Sequence, residues 1–161
     1  MNFWWCNQTK LWQSEMAENI VCASKSEKSA GNTNRKTVLE AKAGDIIAHY
    51  RREQGVFARG IFAFSQAKED GKEYIQLPVL ADGGDYGAGW RFLTEYHKLE
   101  IPVNVEPFRQ ELVSKPCKGH PLYDSGKGKQ GYFYHFNVEG MQVLVKHASG
   151  ALPPWLSPFG S

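Results

Sequence analysis

The chain has 161 residues, 42% apolar and 22% charged, with net charge +2 and pI about 8.4. That is the size and balance of one ordinary globular domain, able to bury a real core. The charge is mildly basic, too weak alone to announce a nucleic-acid binder, and no apolar run approaches the roughly 20 residues that span a bilayer.

Aromatics are plentiful, with 5 Trp, 7 Tyr and 9 Phe, and the 3 cysteines (Cys6, Cys22, Cys117) are an odd number without framework spacing. They read as reduced thiols of a cytoplasmic protein. The N-terminus lacks a charged-then-apolar leader pattern. Asn7-Gln8-Thr9 matches a glycosylation sequon, a chance match in a cytoplasmic chain.

Residues 2–6, NFWWC, read as a short buried strand. A strand alternates its side chains between two faces, so Trp4 and Trp5 cannot share one core. Phe3, Trp5 and Asn7 fall on one face; Trp4, Cys6 and Gln8 fall on the other. The expectation is Trp4 in the core, with Trp5 lining a pocket and Asn7 at its rim. A bulge near the strand end would exchange the two tryptophans. Both rings in core or interface is the competing structural reading.

Residues 24–36 form a polar, lysine-rich stretch that reads as a basic loop. TVLEAKAG follows as a short helix, with Thr33 or Asn34 as cap and Gly44 as stop. DIIAHY and GVFARGIFAF read as two strands joined over Arg51–Gly55, and Gly60 marks a bulge or close backbone approach. YIQLPVL is a further strand, ADGGDYGAG a glycine-rich loop, and WRFLTEYHKLEIPVN the longest strand, with Trp90, Phe92, Thr94 and Tyr96 on one face. EPFRQELVSKP is a short helix between two prolines. HPLYDSGKGKQG is a loop with two lysines among glycines, YFYHFNV a strand, and GMQVLVKHA a final short element. Several short strands with a few short helices in mixed order predict an α+β fold built on a small, mixed, twisted β-barrel. The expected division is a domain over 1–148 and a Pro-rich tail or linker over 149–161.

Chemical motifs are sparse. Cys117-Lys-Gly-His120 is half of a zinc site, and four ligands are needed. Neither the glycines at 84, 87 and 89 nor Gly126-Lys-Gly-Lys129 fits a dinucleotide or P-loop spacing. No Gly-x-Ser-x-Gly elbow is present. No catalytic residue, metal or cofactor is assigned, and the chain is not read as an enzyme. What remains is aromatic residues interleaved with amides and basic loops, the types that hold a single base removed from a stack.

The order of NFWWCNQ, the Ser-Lys loop, KAGDIIAHY, FARGIF, GAGW and QGYFYHFNV resembles the EVE-like domains of the PUA superfamily. It is most similar to the N-terminal module of restriction endonucleases that carry an HNH nuclease, and of McrB-type modification-dependent proteins. The resemblance spans most of residues 2–145. It implies a pseudo-barrel with a surface cage for a flipped, modified base, 5-methylcytosine or 5-hydroxymethylcytosine first. Carried onto this chain, it marks Trp5, Asn7, Gln8, Ser24, Lys25, His49, Tyr50 and Trp90 as the base pocket. Val21-Cys22-Ala23 stands where the family pattern has an aromatic, which leaves Trp12 as a substitute wall. Lys28, Arg35, Lys36, Arg51, Arg52, Lys127 and Lys129 are the expected phosphate contacts. The implied partner is double-stranded DNA with a modified base, with an effector nuclease or motor domain elsewhere in the native protein. Three alternatives stay open: an RNA-binding module of the same superfamily, a small hydrolase acting on a modified nucleoside through Lys25 with Glu40 or Glu95, and a plain protein-interaction domain.

Overall fold

The computed structural model describes residues 1–8, 12–25, 34–51, 60–78 and 87–160. Among these, the strands are β1 Phe3–Asn7, β2 Ile20–Ser24, β3 Ile46–Arg51, β4 Gly60–Ala67, β5 Lys72–Tyr74, β6 Gly89–Val103 and β7 Phe133–Phe136. The α-helices are α1 Trp12–Ala17, α2 Arg109–Val113 and α3 Val138–Lys146. The strands form one mixed sheet in the order β2-β6-β4-β3-β1-β7, with β5 also on β6. β1 runs parallel to β3 and antiparallel to β7.

The sheet curls, and side chains from its distant strands show it. Phe92 of β6 and Phe133 of β7 meet ring to ring at 5.7 Å, although three strands separate them in the sheet. One core fills the inside of this curl and contains Trp4, Cys6, Val21, Ile47, Phe92 and Phe133. A larger core covers the outside of β1 and β3, where Trp5, Ile46 and Tyr50 pack against α2, α3 and the C-terminal residues. The protein is thus a mixed α+β fold, a curled half-barrel with few short helices, as the sequence predicts.

Gly60 does what its place in a strand suggests. Its φ is +151°, and a Cβ there would lie 2.2 Å from the carbonyl oxygen of Val103. The β4–β6 register shifts between Ile61 and Ala63, just beyond that approach.

Several elements differ from the sequence expectation. α1 and β2 are not evident in the sequence, because six residues are too few to set a helical period and β2 is buried nearly throughout, so it shows no alternation. Trp12 and Glu15 are three apart, so α1 turns both into the protein. The helix expected over TVLEAKAG is a 3₁₀ turn at Lys36–Glu40 with no side-chain cap, and Gly44 (φ +92°) turns the chain into β3. Of the strand expected over YIQLPVL, the described residues keep only the start: β5 ends at Tyr74, Ile75 is 94% exposed, and residues 79 and 80 lie outside the described residues. The stretch of the expected second strand before Gly60 lies outside the described residues.

The final element is helical. Asn137 caps α3 by accepting the Gly140 N–H at 2.7 Å, and Met141, Leu144 and Val145 face the outer core. The expected tail or linker packs on this same core. Leu156 is fully buried, and Phe159 sits edge-on to Phe3 at 5.4 Å, beside a 3₁₀ turn at Ser157–Phe159.

Candidate functional site

The structure separates the eight residues proposed for a base pocket into three places. Strand parity explains the first division. Asn7 and Tyr50 are partners in the β1–β3 register and point outward; Cys6 and His49 are partners one step earlier and point inward.

Outward, a cavity of about 400 Å³ opens between β1, β3 and the segment from Glu106 to Lys129. Trp5, Asn7 and Tyr50 form its floor, Pro121 and Leu122 one wall, and the Ser125–Lys129 loop its rim. Trp5 is only 2% and Tyr50 5% exposed. Their rings lie 5.1 Å apart at 30°, so they pack on one another and leave little area to the cavity. Asn7 is a brace. Its Oδ1 accepts the Trp5 indole N–H at 2.8 Å, and its Nδ2 donates to the carbonyls of Lys129 (3.1 Å) and Gly131 (2.7 Å). The rim is thereby tied to the first strand.

Arg109 was not foreseen. It stands on α2 with its guanidinium across the cavity wall. Nε and Nη2 donate to Glu106 at 2.9 Å each, Nη1 to the Gly126 carbonyl at 2.8 Å, and Nη2 to the Tyr50 hydroxyl at 3.3 Å. The Glu106 bonds push its pKa up, so the cation is permanent. The Glu-x-x-Arg spacing at 106–109 is the one sequence signal for this clamp.

Inward, Gln8 and His49 are buried and belong to a different structure. The Gln8 amide oxygen lies 2.7 Å from His49 Nδ1, and His49 Nε2 lies 2.6 Å from Ser65 Oγ. The Gln8 Nε2 donates to Glu15 at 2.6 Å and to Tyr96 at 3.1 Å. Tyr132 donates to the other Glu15 oxygen, which also accepts the Cys22 backbone N–H at 3.2 Å. Burial without a counter-ion raises Glu15 to about 7, and burial lowers His49 to about 3. The expectation of Gln8 and His49 as base contacts is therefore corrected: both are satisfied inside the curl and away from the cavity.

The third group lies at the β2–β6 end. Lys25 sits 5.6 Å over the Trp90 ring and is ion-paired with Glu73, while the Ser24 carbonyl accepts from Arg35 at 2.9 Å. Trp12, the substitute wall, is buried beneath the Arg51 guanidinium at 4.5 Å. Arg51 is itself 5% exposed, which corrects its expected role on a phosphate. Lys36 is exposed, and Lys127 and Lys129 line the cavity. Lys28 and Arg52 lie outside the described residues. The hydrolase pairing does not form, because Lys25 holds Glu73, while Glu40 faces His135 at 3.4 Å and Glu95 faces Lys68 at 3.8 Å.

Cys117 and His120 line a smaller neighbouring cavity of about 230 Å³. Burial raises the thiol and lowers the imidazole, and among the described residues no group of three or more His, Cys, Asp or Glu is placed to hold a metal ion.

No family model and no curated protein matches this chain. Solved structures do. A hypothetical protein from Leishmania major aligns with TM-score 0.57 at 7% identity, over 91% of this chain and 93% of that one. A structural-genomics target from Pseudomonas syringae aligns with TM-score 0.56 at 10% identity, over 89% and 97%. One from Rhodopseudomonas palustris aligns with TM-score 0.52 at 13% identity, over 92% and 93%. At such identities the likeness is one of fold.

Proposed function

We propose that this chain is a DNA-binding specificity module that receives a modified base, 5-methylcytosine or 5-hydroxymethylcytosine, flipped from the duplex into the outward cavity. In this reading it is the base-reading part of a cytoplasmic, modification-dependent restriction system, an EVE-like domain whose effector nuclease or motor lies elsewhere. The supporting observation is the cavity itself: about 400 Å³, with Trp5 and Tyr50 beneath and Lys127 and Lys129 at the mouth. That volume admits one nucleotide, and the mouth favours its backbone.

Energetics shape the expectation. Flipping costs a few kcal/mol, and a fully stacked base returns about 1–3 kcal/mol. Here Trp5 and Tyr50 are nearly buried and expose little ring area, so phosphates carry more of the affinity. Binding therefore falls steeply with salt.

The test is a titration of the chain with matched duplexes carrying cytosine, 5-methylcytosine, 5-hydroxymethylcytosine or N6-methyladenine. A preference of at least tenfold for one modified duplex, about 1.4 kcal/mol, is expected. The blocking variant is Gly128→Leu, because a Cβ at Gly128 meets only the Arg109 side chain, at 4.0 Å. That variant should erase the preference. Equal binding of all duplexes, or a preference that survives the block, overturns the reading; tighter binding of single-stranded RNA would favour the RNA-reading alternative.

A further inference from the structure

The polar groups around the cavity are unequal in kind. The Tyr50 hydroxyl accepts from Arg109 and keeps its own proton to give. Arg109 has five N–H groups, and one on Nη1 has no acceptor among the described residues once Glu106, Gly126 and Tyr50 are served. Lys127 and Lys129 form no ion pair among the described residues; the Lys129 ammonium rests 5.4 Å over Tyr123. On the accepting side, Glu106 is held by Arg109, and Asn7 Oδ1 by the Trp5 indole. The cavity thus offers hydrogen-bond donors and positive charge, with its side-chain acceptors largely consumed.

We infer that the cavity is an anion site that holds the 5′-phosphate of the nucleotide it admits, through Tyr50, Arg109, Lys127 and Lys129. The inference rests on the cavity being the nucleotide site proposed above and names the part of the nucleotide that is bound there. Arg109 is fixed by the Glu106 fork and the Gly126 carbonyl, so its guanidinium is held in place before any ligand arrives. Lys129 is fixed through its backbone, whose N–H donates to Pro121 at 2.8 Å and whose carbonyl accepts from Asn7 at 3.1 Å. Uncharged ligands with the same ring leave these donors to water. The phosphate therefore decides affinity, while the ring decides selectivity.

The experiment is calorimetry on the full chain with 2′-deoxycytidine and its 5′-monophosphate as probes, in the wild type, a Lys127→Ala/Lys129→Ala double variant, and Tyr50→Phe. The monophosphate should bind at least tenfold tighter than the nucleoside. The gain should vanish in the double variant, fall severalfold in Tyr50→Phe, and weaken when millimolar inorganic phosphate competes. Both lysine side chains lie at the rim, and a thermal melt of each variant reports folding. Equal binding of the two probes, no binding of either, or a gain that survives the double variant overturns the inference. The duplex titration separates the two proposals. Modified-base preference without a phosphate gain removes the anion site alone; a phosphate gain without modified-base preference removes the base reading alone.

Discussion

The two faces of β1 carry similar residue types and use them in opposite ways. On the inner face, Gln8 meets His49, Glu15 and Tyr96, and each polar group is spent on another inside the curl. On the outer face, Asn7 is spent on Trp5 and the loop carbonyls, and its neighbours Tyr50, Arg109 and Lys129 retain donors toward an open volume. One step along the strand separates a network that rigidifies the fold from a cavity that can bind. A buried amide or histidine is thus no guide to a ligand until its partners are known; a donor left over beside a cavity is a better one.

The comparison breaks most visibly at Gln8. Gln8→Leu strands the His49 ring nitrogen and a Glu15 oxygen without their partner, at about 1–3 kcal/mol for each buried group left unpaired. Chemical denaturation should show a loss of about 2–6 kcal/mol, with nucleotide affinity of the remaining folded protein unchanged. A Gln8→Leu protein as stable as the wild type would mean that the inner network contributes nothing.

Titration sharpens it next. Glu15 is raised in the fold from 4.5 to about 7, so its contribution to stability is full below about pH 4.5 and is lost as the pH rises through 7. His49 is lowered from 6.5 to about 3, so its contribution is full above 6.5 and is lost as the pH falls toward 3. Between those limits the two slopes oppose and the wild type should be nearly flat. Glu15→Gln should expose a stability that rises with pH, by roughly 5 kcal/mol at full span, and His49→Gln one that falls, by roughly 3 kcal/mol. Parallel profiles for all three proteins would place neither group where the hydrogen bonds put it.

The smallest effect is on the outer side. Asn7→Ala leaves the buried Trp5 N–H without its acceptor, at about 1–3 kcal/mol. It also frees the Lys129 carbonyl, so monophosphate affinity should fall along with the melting temperature. A fall in stability alone would show that Asn7 serves the core and not the rim.

Much of this division was legible in NFWWCNQ. Period-two alternation alone places Trp4 with Cys6 and Gln8, and Trp5 with Asn7. The same rule could have put Gln8 inside with Trp4, but a functional reading of the motif set it beside Asn7. His49 was open to the same correction only through the register, which pairs it with Cys6 and is invisible in the sequence. Gly60 was legible because glycine inside a strand marks a bulge or a close backbone approach. Glu15 and Arg109 were not. Glu15 sits on a helix of six residues, where no hydrophobic period accumulates, and the helix of Arg109 is readable between its prolines while its bonds to Gly126 and Tyr50 are not. The C-terminal residues misled by composition. Prolines exclude regular structure but leave Leu156 and Phe159 free to pack.

The chain of bonds from the Trp5 indole through Asn7 to the Lys129 carbonyl gives the cavity a built-in lamp. An indole's emission follows the polarity and hydrogen bonding around its N–H, and here that N–H is held by the same amide that holds the rim. Trp4, one residue away, gives its N–H to Asp45 on the opposite face and serves as the dark-side control. The adjacent tryptophans thus report on different surroundings, Trp5 on the amide that braces the rim and Trp4 on the buried Asp45.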